Sequence, residues 1–287
     1  MEDFRYEKDA DGIVVVTMDM QGQGANTMTP AYKSGMSAII DRLYAEEGLT
    51  GVVIASGKKT FFAGGDLNGL LATEEVDQAY LDDLEKNKGM LRRIEKLPVP
   101  VVAAINGAAL GGGYEICLAC NRRIILDTPG AITGLPEVTL GLLPGAGGVV
   151  RATALLGLEK ALPVVMEGKP HAPKKALALG MVDEMVATQE ELIPAAKAWI
   201  KANPDAAAQP WDRKGFRYPG GDATSPKVRQ VAAVAPTLLI KKTRGLMPAP
   251  ERILDVAVNS MRMGFDSALR ETAERILPLA VTDIVGR

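Results

Sequence analysis

Three β-branched runs in the first 105 residues constrain the fold more than any other feature. Gly12 to Met18, Thr50 to Ala55 and Pro100 to Ile105 read as strands, the third of them buried. Between them lie helical stretches. Thr29-Pro30 has the form of an N-cap followed by proline in the first helical turn, which predicts a helix to about Glu47. Val76 to Lys96 is polar and helical in pattern, and the triple glycine Gly111–Gly113 opens a further helix to Cys120. Arg122 to Leu126 is another short strand. Strands alternating with helices predict an α/β layered core. Beyond Val150 the strand signals fade and helical patterns dominate, among them Glu190–Lys201 with Trp199 and Ile200 on its apolar side. Asn203 to Pro226 is rich in Pro, Gly, Asp and Ala and reads as a long loop or linker. The expected organisation is a catalytic core over 1–200, a loop or linker region over 201–249 and a C-terminal helical region over 250–287.

Composition excludes several function classes. The 287 residues carry a net charge of −2 and are 47% apolar, enough for a substantial core. That balance argues against nucleic acid or an anionic membrane as the main partner. The polar, acidic N-terminus lacks a signal-peptide core, and no run reaches the length of a membrane span, so the cytoplasm is the expected compartment. Cys117 and Cys120 have C-x-x-C spacing but sit beside Ile116, Leu118 and Ala119, which favours two buried thiols over a redox pair. The single histidine, His171, excludes a two-His zinc site, and its setting between prolines reads as a loop or helix start. No metal site is expected.

Two carboxylates stand alone in apolar, glycine-rich surroundings. Glu115 is the only charge between Ile105 and Cys120, and Glu137 the only one between Ala131 and Val150. Loss of water on folding disfavours an ionised carboxylate and moves its pKa toward neutrality. Two such groups facing one pocket can do acid and base work on a water molecule. The glycine turns complement them. Gly111–Gly113 lets backbone approach a ligand at a helix start, where unpaired N–H groups suit an oxyanion. Phe62-Ala63-Gly64-Gly65-Asp66 is a second such turn. The dinucleotide alternative fails: Gly145-Ala146-Gly147 begins a G-x-G but puts Val150 where the fingerprint needs Gly or Ala, and no phosphate-binding G-x-x-x-x-G-K-[ST] is present.

These segments resemble the crotonase (enoyl-CoA hydratase/isomerase) superfamily. Phe61–Leu67 is similar to its first oxyanion segment, Ile105–Glu115 to its second, Leu135–Gly148 to its second catalytic segment, and Ala178–Glu184 to a later Gly-hydrophobic-Val-Asp turn. Gln209–Asp212, Tyr218–Gly221 and Met247–Pro250 resemble the hydratase region of a bacterial fatty-acid-oxidation multifunctional α chain, without the 3-hydroxyacyl-CoA dehydrogenase part. The resemblance implies a ββα superhelix with a C-terminal helical region. It implies backbone N–H groups of Gly65 and Gly112 as the oxyanion hole, Glu137 delivering a proton at C2, and Glu115 activating water for C3. Coenzyme A contacts are expected at Ala63, Asp66 and Leu67, with Lys58, Lys59 and Gly145 as further candidates, and acyl-pocket walls at residues 70–95 and the C-terminal helices. Two departures stand out: Asn121 occupies a position usually held by Asp, and Leu277 to Arg287 leaves the family's usual continuation.

The implied reaction is hydration of trans-2-enoyl-CoA to 3-hydroxyacyl-CoA in fatty acid β-oxidation, with the thioester as substrate and no separate cofactor. Two other readings stay open: Δ3–Δ2-enoyl-CoA isomerisation, and a non-catalytic scaffold in a β-oxidation complex. A protease role fails for want of a placed Ser-His pair, and the net charge disfavours RNA. Expected partners are further copies in a homotrimer or hexamer, or thiolase and dehydrogenase components of a β-oxidation complex.

Overall fold

The computed structural model describes residues 2–66 and 78–271. They divide into two packed units. The first takes the described residues up to Asp66, Gly89–Thr133 and Pro170–Gln209; the second takes the described part of Leu67–Lys88, Gly134–Lys169 and the described residues from Pro210 on.

The first unit is built on a six-stranded sheet. Its strands are β1 (Phe4–Lys8), β2 (Ile13–Met18), β3 (Gly51–Ser56), β4 (Val101–Ile105), β6 (Arg122–Leu126) and β8 (Glu184–Val186), in the order β1-β2-β3-β4-β6-β8. β1 runs antiparallel to β2 and every later pair is parallel. Residues of β2 and β4 are buried along their whole length, which explains their unbroken apolar runs: a parallel sheet has no wet face to alternate with. Along one face Ile13, Val15, Val53, Val102, Ala104 and Ile124 pack on Leu192, Ala196 and Ile200 of helix α7 (Gln189–Ala202), with Trp199 half-buried beside them. A capping box at Thr188 and Glu191 starts that helix, as its sequence requires. Helix α1 (Pro30–Ala45) begins where Thr29-Pro30 predicts, the Thr29 hydroxyl accepting the Tyr32 N–H at 3.2 Å.

β1 and β8 escaped the sequence reading for physical reasons. β1 is an edge strand with only Phe4 buried, so Arg5, Glu7 and Lys8 give it a polar face that suits an unpaired edge. β8 is three residues long and half-buried throughout. Two further short strands, β5 (Ala109–Leu110) and β7 (Thr133–Gly134), pair with each other. Helix α2 (Gln78–Glu95) and helix α3 (Gly112–Ala119) match the expected segments within the described residues.

Helix α6 (Pro173–Leu179) completes the described helices of the first unit, and the rest lie in the second: α4 (Gly148–Leu156), α5 (Leu158–Glu167), α8 (Pro226–Thr243) and α9 (Pro248–Ser260), with residues 265–271 also helical. The expected loop over 201–249 is therefore corrected: its second half is the 18-residue helix α8. Pro236 lies on that helix's exposed side, where water can satisfy the carbonyl left without its i→i−4 bond, so the proline is tolerated. Loop structure persists over 203–225 apart from a 3₁₀ turn at Pro210–Asp212, anchored by Trp211 stacking on Phe265 at 4.8 Å. The domain boundaries also differ from three consecutive segments, because each unit is assembled from separated stretches of chain.

The loop after α7 is tied to the start of β4 through the side-chain amide of Asn121. Asn121 Nδ2 donates to the Ala207 carbonyl at 2.9 Å while its Oδ1 accepts the Val101 N–H at 2.8 Å. An aspartate there keeps the second bond and loses the first, facing one oxygen with another. Asn121→Asp is expected to lower stability by about 1–3 kcal/mol, read as a shift in the urea midpoint at unchanged slope. Cys117 and Cys120 are fully buried and free, as the sequence reading expects, and burial pushes the Cys120 thiol up to about 12 and Cys117 up as well. Both thiols are then protonated at pH 8, so a chromogenic disulfide reagent is expected to label neither in the folded protein and both after denaturation.

Candidate active site

The 62–65 turn is held between two neighbouring segments of the first unit. On one side the Ala63 N–H donates to the Asn26 carbonyl at 2.8 Å and the Met28 N–H to the Gly64 carbonyl at 3.0 Å. On the other side the Phe62 N–H donates to Ala108 at 3.0 Å, and the Leu110 N–H returns to the Phe62 carbonyl at 3.1 Å. Gly64 adopts φ +111°, a conformation that only glycine takes without strain. Among the described residues, the Gly65 N–H donates to no other backbone group, and Gly65 itself is exposed.

Helix α3 presents the second glycine. Gly111, at φ 53°, is its N-cap, and Gly112 is the first helical residue, whose N–H has no intrahelical acceptor. A Cβ built on Gly112 would lie 3.9 Å from the Gly64 carbonyl carbon, so the two glycine turns meet. A Cβ on Gly113 would collide with the Phe62 carbonyl oxygen and come within 2.7 Å of Phe62 Cβ. The triple glycine is thus a requirement of close backbone approach: α3 can start this near to the 62–65 turn only without side chains. Two N–H groups and the positive end of a helix dipole there can stabilise charge building on a carbonyl oxygen.

Glu115 sits in the first turn of α3 and is 2% exposed. Its helix is fixed at several points. The Tyr114 hydroxyl donates to the Met181 carbonyl at 2.8 Å, and Gln209 Nε2 donates to the Ala119 carbonyl at 2.8 Å, taking one of the last acceptors of the helix. The Gly180-Met181-Val182-Asp183 segment does more than turn the chain. Asp183 accepts the Arg123 backbone N–H at 2.8 Å and pairs with its guanidinium at 2.7 Å.

Glu137 belongs to the second unit, in the 3₁₀ turn Pro136–Leu140. It is half-buried, with Oε2 withdrawn from solvent. The turn ends on left-handed Gly141 and packs on Gly168, where a Cβ would lie 2.7 Å from Val138. The first unit therefore brings the Gly64–Gly65 turn against Gly112, with Glu115 one turn along the same helix, while Glu137 lies on a separately braced turn of the second unit.

The candidate coenzyme A contacts differ from one another. Ala63 is exposed and Asp66 half-buried beside Gly65, whereas Leu67 and residues 70–77 lie outside the described residues. Lys58 is engaged already, its ammonium 2.9 Å from Asp19, and that hydrogen bond, together with Arg5 and against partial burial, holds the Asp19 carboxyl below its usual range. Lys59 is exposed. Gly145 is half-buried in the second unit, with Leu84 3.3 Å from its Cβ position. Asn26 and Met28 were absent from the residues singled out in the sequence; Gly24-Ala25-Asn26 carries no charge and no motif that marks it as part of a site.

The chain matches the enoyl-CoA hydratase/isomerase family over residues 8–212. A protein named fatty acid oxidation complex subunit alpha from Shewanella halifaxensis (strain HAW-EB4) is 34% identical over 284 residues, covering 99% of this chain and 40% of its own length. Another of that name from Idiomarina loihiensis is 35% identical over 287 residues, covering 97% of this chain and 39% of its own. The chain thus spans about two fifths of the length of these curated relatives. The solved enoyl-CoA hydratase from Bacillus anthracis superposes with a TM-score of 0.64 at 22% identity, covering 96% of this chain and 91% of that one. That likeness shows the shared fold. With the family matched over most of its residues and relatives a third identical along nearly all of it, the chain belongs to the enoyl-CoA hydratase/isomerase family.

Proposed function

We propose that this protein hydrates trans-2-enoyl-CoA thioesters to 3-hydroxyacyl-CoA in fatty acid oxidation. The observation that carries the reading is the buried Glu115 in the first turn of a helix whose leading glycine meets the Gly64–Gly65 turn. The Gly65 and Gly112 N–H groups hold the thioester oxygen as negative charge moves onto it, which makes C3 electrophilic. Glu115 takes a proton from water as the water oxygen bonds to C3. Glu137 gives a proton to C2 as the enolate collapses back to the thioester. Water is consumed and no redox partner or metal is required, so the coenzyme A thioester and water are the only small molecules the proposed chemistry needs.

Isomerisation of a Δ3 double bond asks for one principal carboxylate, and a second isolated Glu is more than that reaction requires. The names of the relatives support work within a fatty acid oxidation complex, in which thiolase and dehydrogenase components are the proposed partners. The cytoplasmic setting expected from the sequence belongs to this reading, and no helix among the described residues is long and apolar enough to cross a membrane.

The test is loss of the enoyl-thioester absorbance with crotonyl-CoA and decenoyl-CoA. The parent protein is expected to consume both, and Glu115→Gln or Glu137→Gln to lower kcat by about 10²–10⁴-fold. A folded parent that binds CoA and leaves the absorbance unchanged overturns the hydratase reading. For the lysines, Lys59→Ala is expected to raise KM while sparing kcat, since an exposed ammonium serves a phosphate as a point charge. Lys58→Ala is expected to act on stability through the loss of its Asp19 partner, seen in the thermal midpoint.

A further inference from the structure

We infer that Asn26 is a positioning residue for the oxyanion donors, and that the 26–28 segment sets the direction of the Gly65 N–H. The inference rests on the hydratase reading above for its activity readout. Asn26 is 0% exposed. Its Oδ1 accepts the Met20 N–H at 3.1 Å, which fixes the orientation of the amide, because only the oxygen can accept. Its Nδ2 then faces three acceptors: Ser56 Oγ at 2.9 Å, the Met18 carbonyl at 3.2 Å and the Phe61 carbonyl at 3.2 Å. The backbone carbonyl of the same residue accepts the Ala63 N–H. One buried residue therefore ties the end of β2, the end of β3 and both sides of Phe62 into a single network.

Two residues on, Met28 extends the brace. Its N–H holds the Gly64 carbonyl, which turns the following Gly64–Gly65 peptide, and its Cε lies 3.0 Å from where a Gly112 Cβ would stand. The 26–28 segment thus touches both glycine turns. Ser56 closes the network, donating to the Thr60 carbonyl at 2.7 Å and accepting the Lys58 N–H at 3.1 Å. Nothing in this arrangement puts Asn26 in contact with substrate. Its effect passes through the peptide planes of 61–65, and an oxyanion donor depends steeply on where its N–H points.

Plain loss of stability is the competing account, so the test needs a readout that stability does not move. We would measure the carbonyl stretch of ¹³C-carbonyl butyryl-CoA, a saturated thioester that binds without reacting, on the parent and on Asn26→Ala, Asn26→Ser and Met28→Ala. The parent is expected to shift the stretch to lower frequency. In the folded fraction of the Asn26 variants that shift is expected to shrink, kcat for crotonyl-CoA to fall by about 10–100-fold, and the affinity for free CoA to stay within about twofold of the parent. Met28→Ala leaves the amide network intact and is expected to show a smaller change of the same kind. Folded Asn26 and Met28 variants with the parent's stretch and kcat overturn the inference, as does a kcat loss that merely follows the unfolded fraction. A parent that polarises the carbonyl yet does not hydrate enoyl-CoA overturns the reaction assignment and leaves the positioning inference to be decided by the stretch.

Discussion

The Phe62 carbonyl lies against Gly113 and accepts the Leu110 N–H, and the rest of the first unit's site geometry hangs on that approach of two backbones. Any side chain at 113 would push α3 away from the 62–65 turn. With α3 displaced, Gly112 would no longer meet the Gly64 peptide, and Glu115 would move with the helix. The sheet supports this from below: β3 delivers the chain to the 57–65 turn, and β4 delivers it to Asn106-Gly107, where Asn106 Nδ2 donates to the Lys58 carbonyl at 2.7 Å. Adjacent parallel strands thus deliver both glycine turns to the same end of the sheet.

Much of this was legible in the sequence because unusual residues mark it. A carboxylate alone in an apolar stretch and three consecutive glycines are rare enough to mark Glu115 and Gly112, and β-branched runs mark β2, β3 and β4. What stayed hidden was carried by ordinary residues in ordinary settings. Asn26 and Met28 act through contacts with residues far along the chain, and no local pattern announces such a partner. The helix at Pro226–Thr243 was obscured by its own prolines and by the Gly-Pro-rich stretch before it. Its exposed Val234, Leu238 and Ile240 also depart from the amphipathic pattern that a sequence reading relies on.

Charge is used sparingly around the site and is satisfied locally elsewhere. Arg123 is almost fully buried, yet its pairing with Asp183, its bond to the Cys120 carbonyl at 3.0 Å and the nearby Tyr114 let it remain ionised against the burial that opposes it. Asp183 in turn fixes the start of β6, so the Gly-Met-Val-Asp segment braces α3 and the sheet together. In the second unit, the buried ammonium of Lys88 lies between Glu85 at 2.7 Å and the Leu269 carbonyl at 2.8 Å.

The anchors of α3 are scattered along the chain: Phe62 ahead of it, Met181 well after it and Gln209 later still. Contacts of such long sequence separation close late, because the loop entropy has to be spent before they reward it. A chain still emerging from the ribosome can therefore carry Glu115 and the glycines of both turns and yet lack the clamps that Met181 and Gln209 place on α3. The geometry of the proposed site is a property of the finished topology, complete only once Gln209 has reached the end of α3.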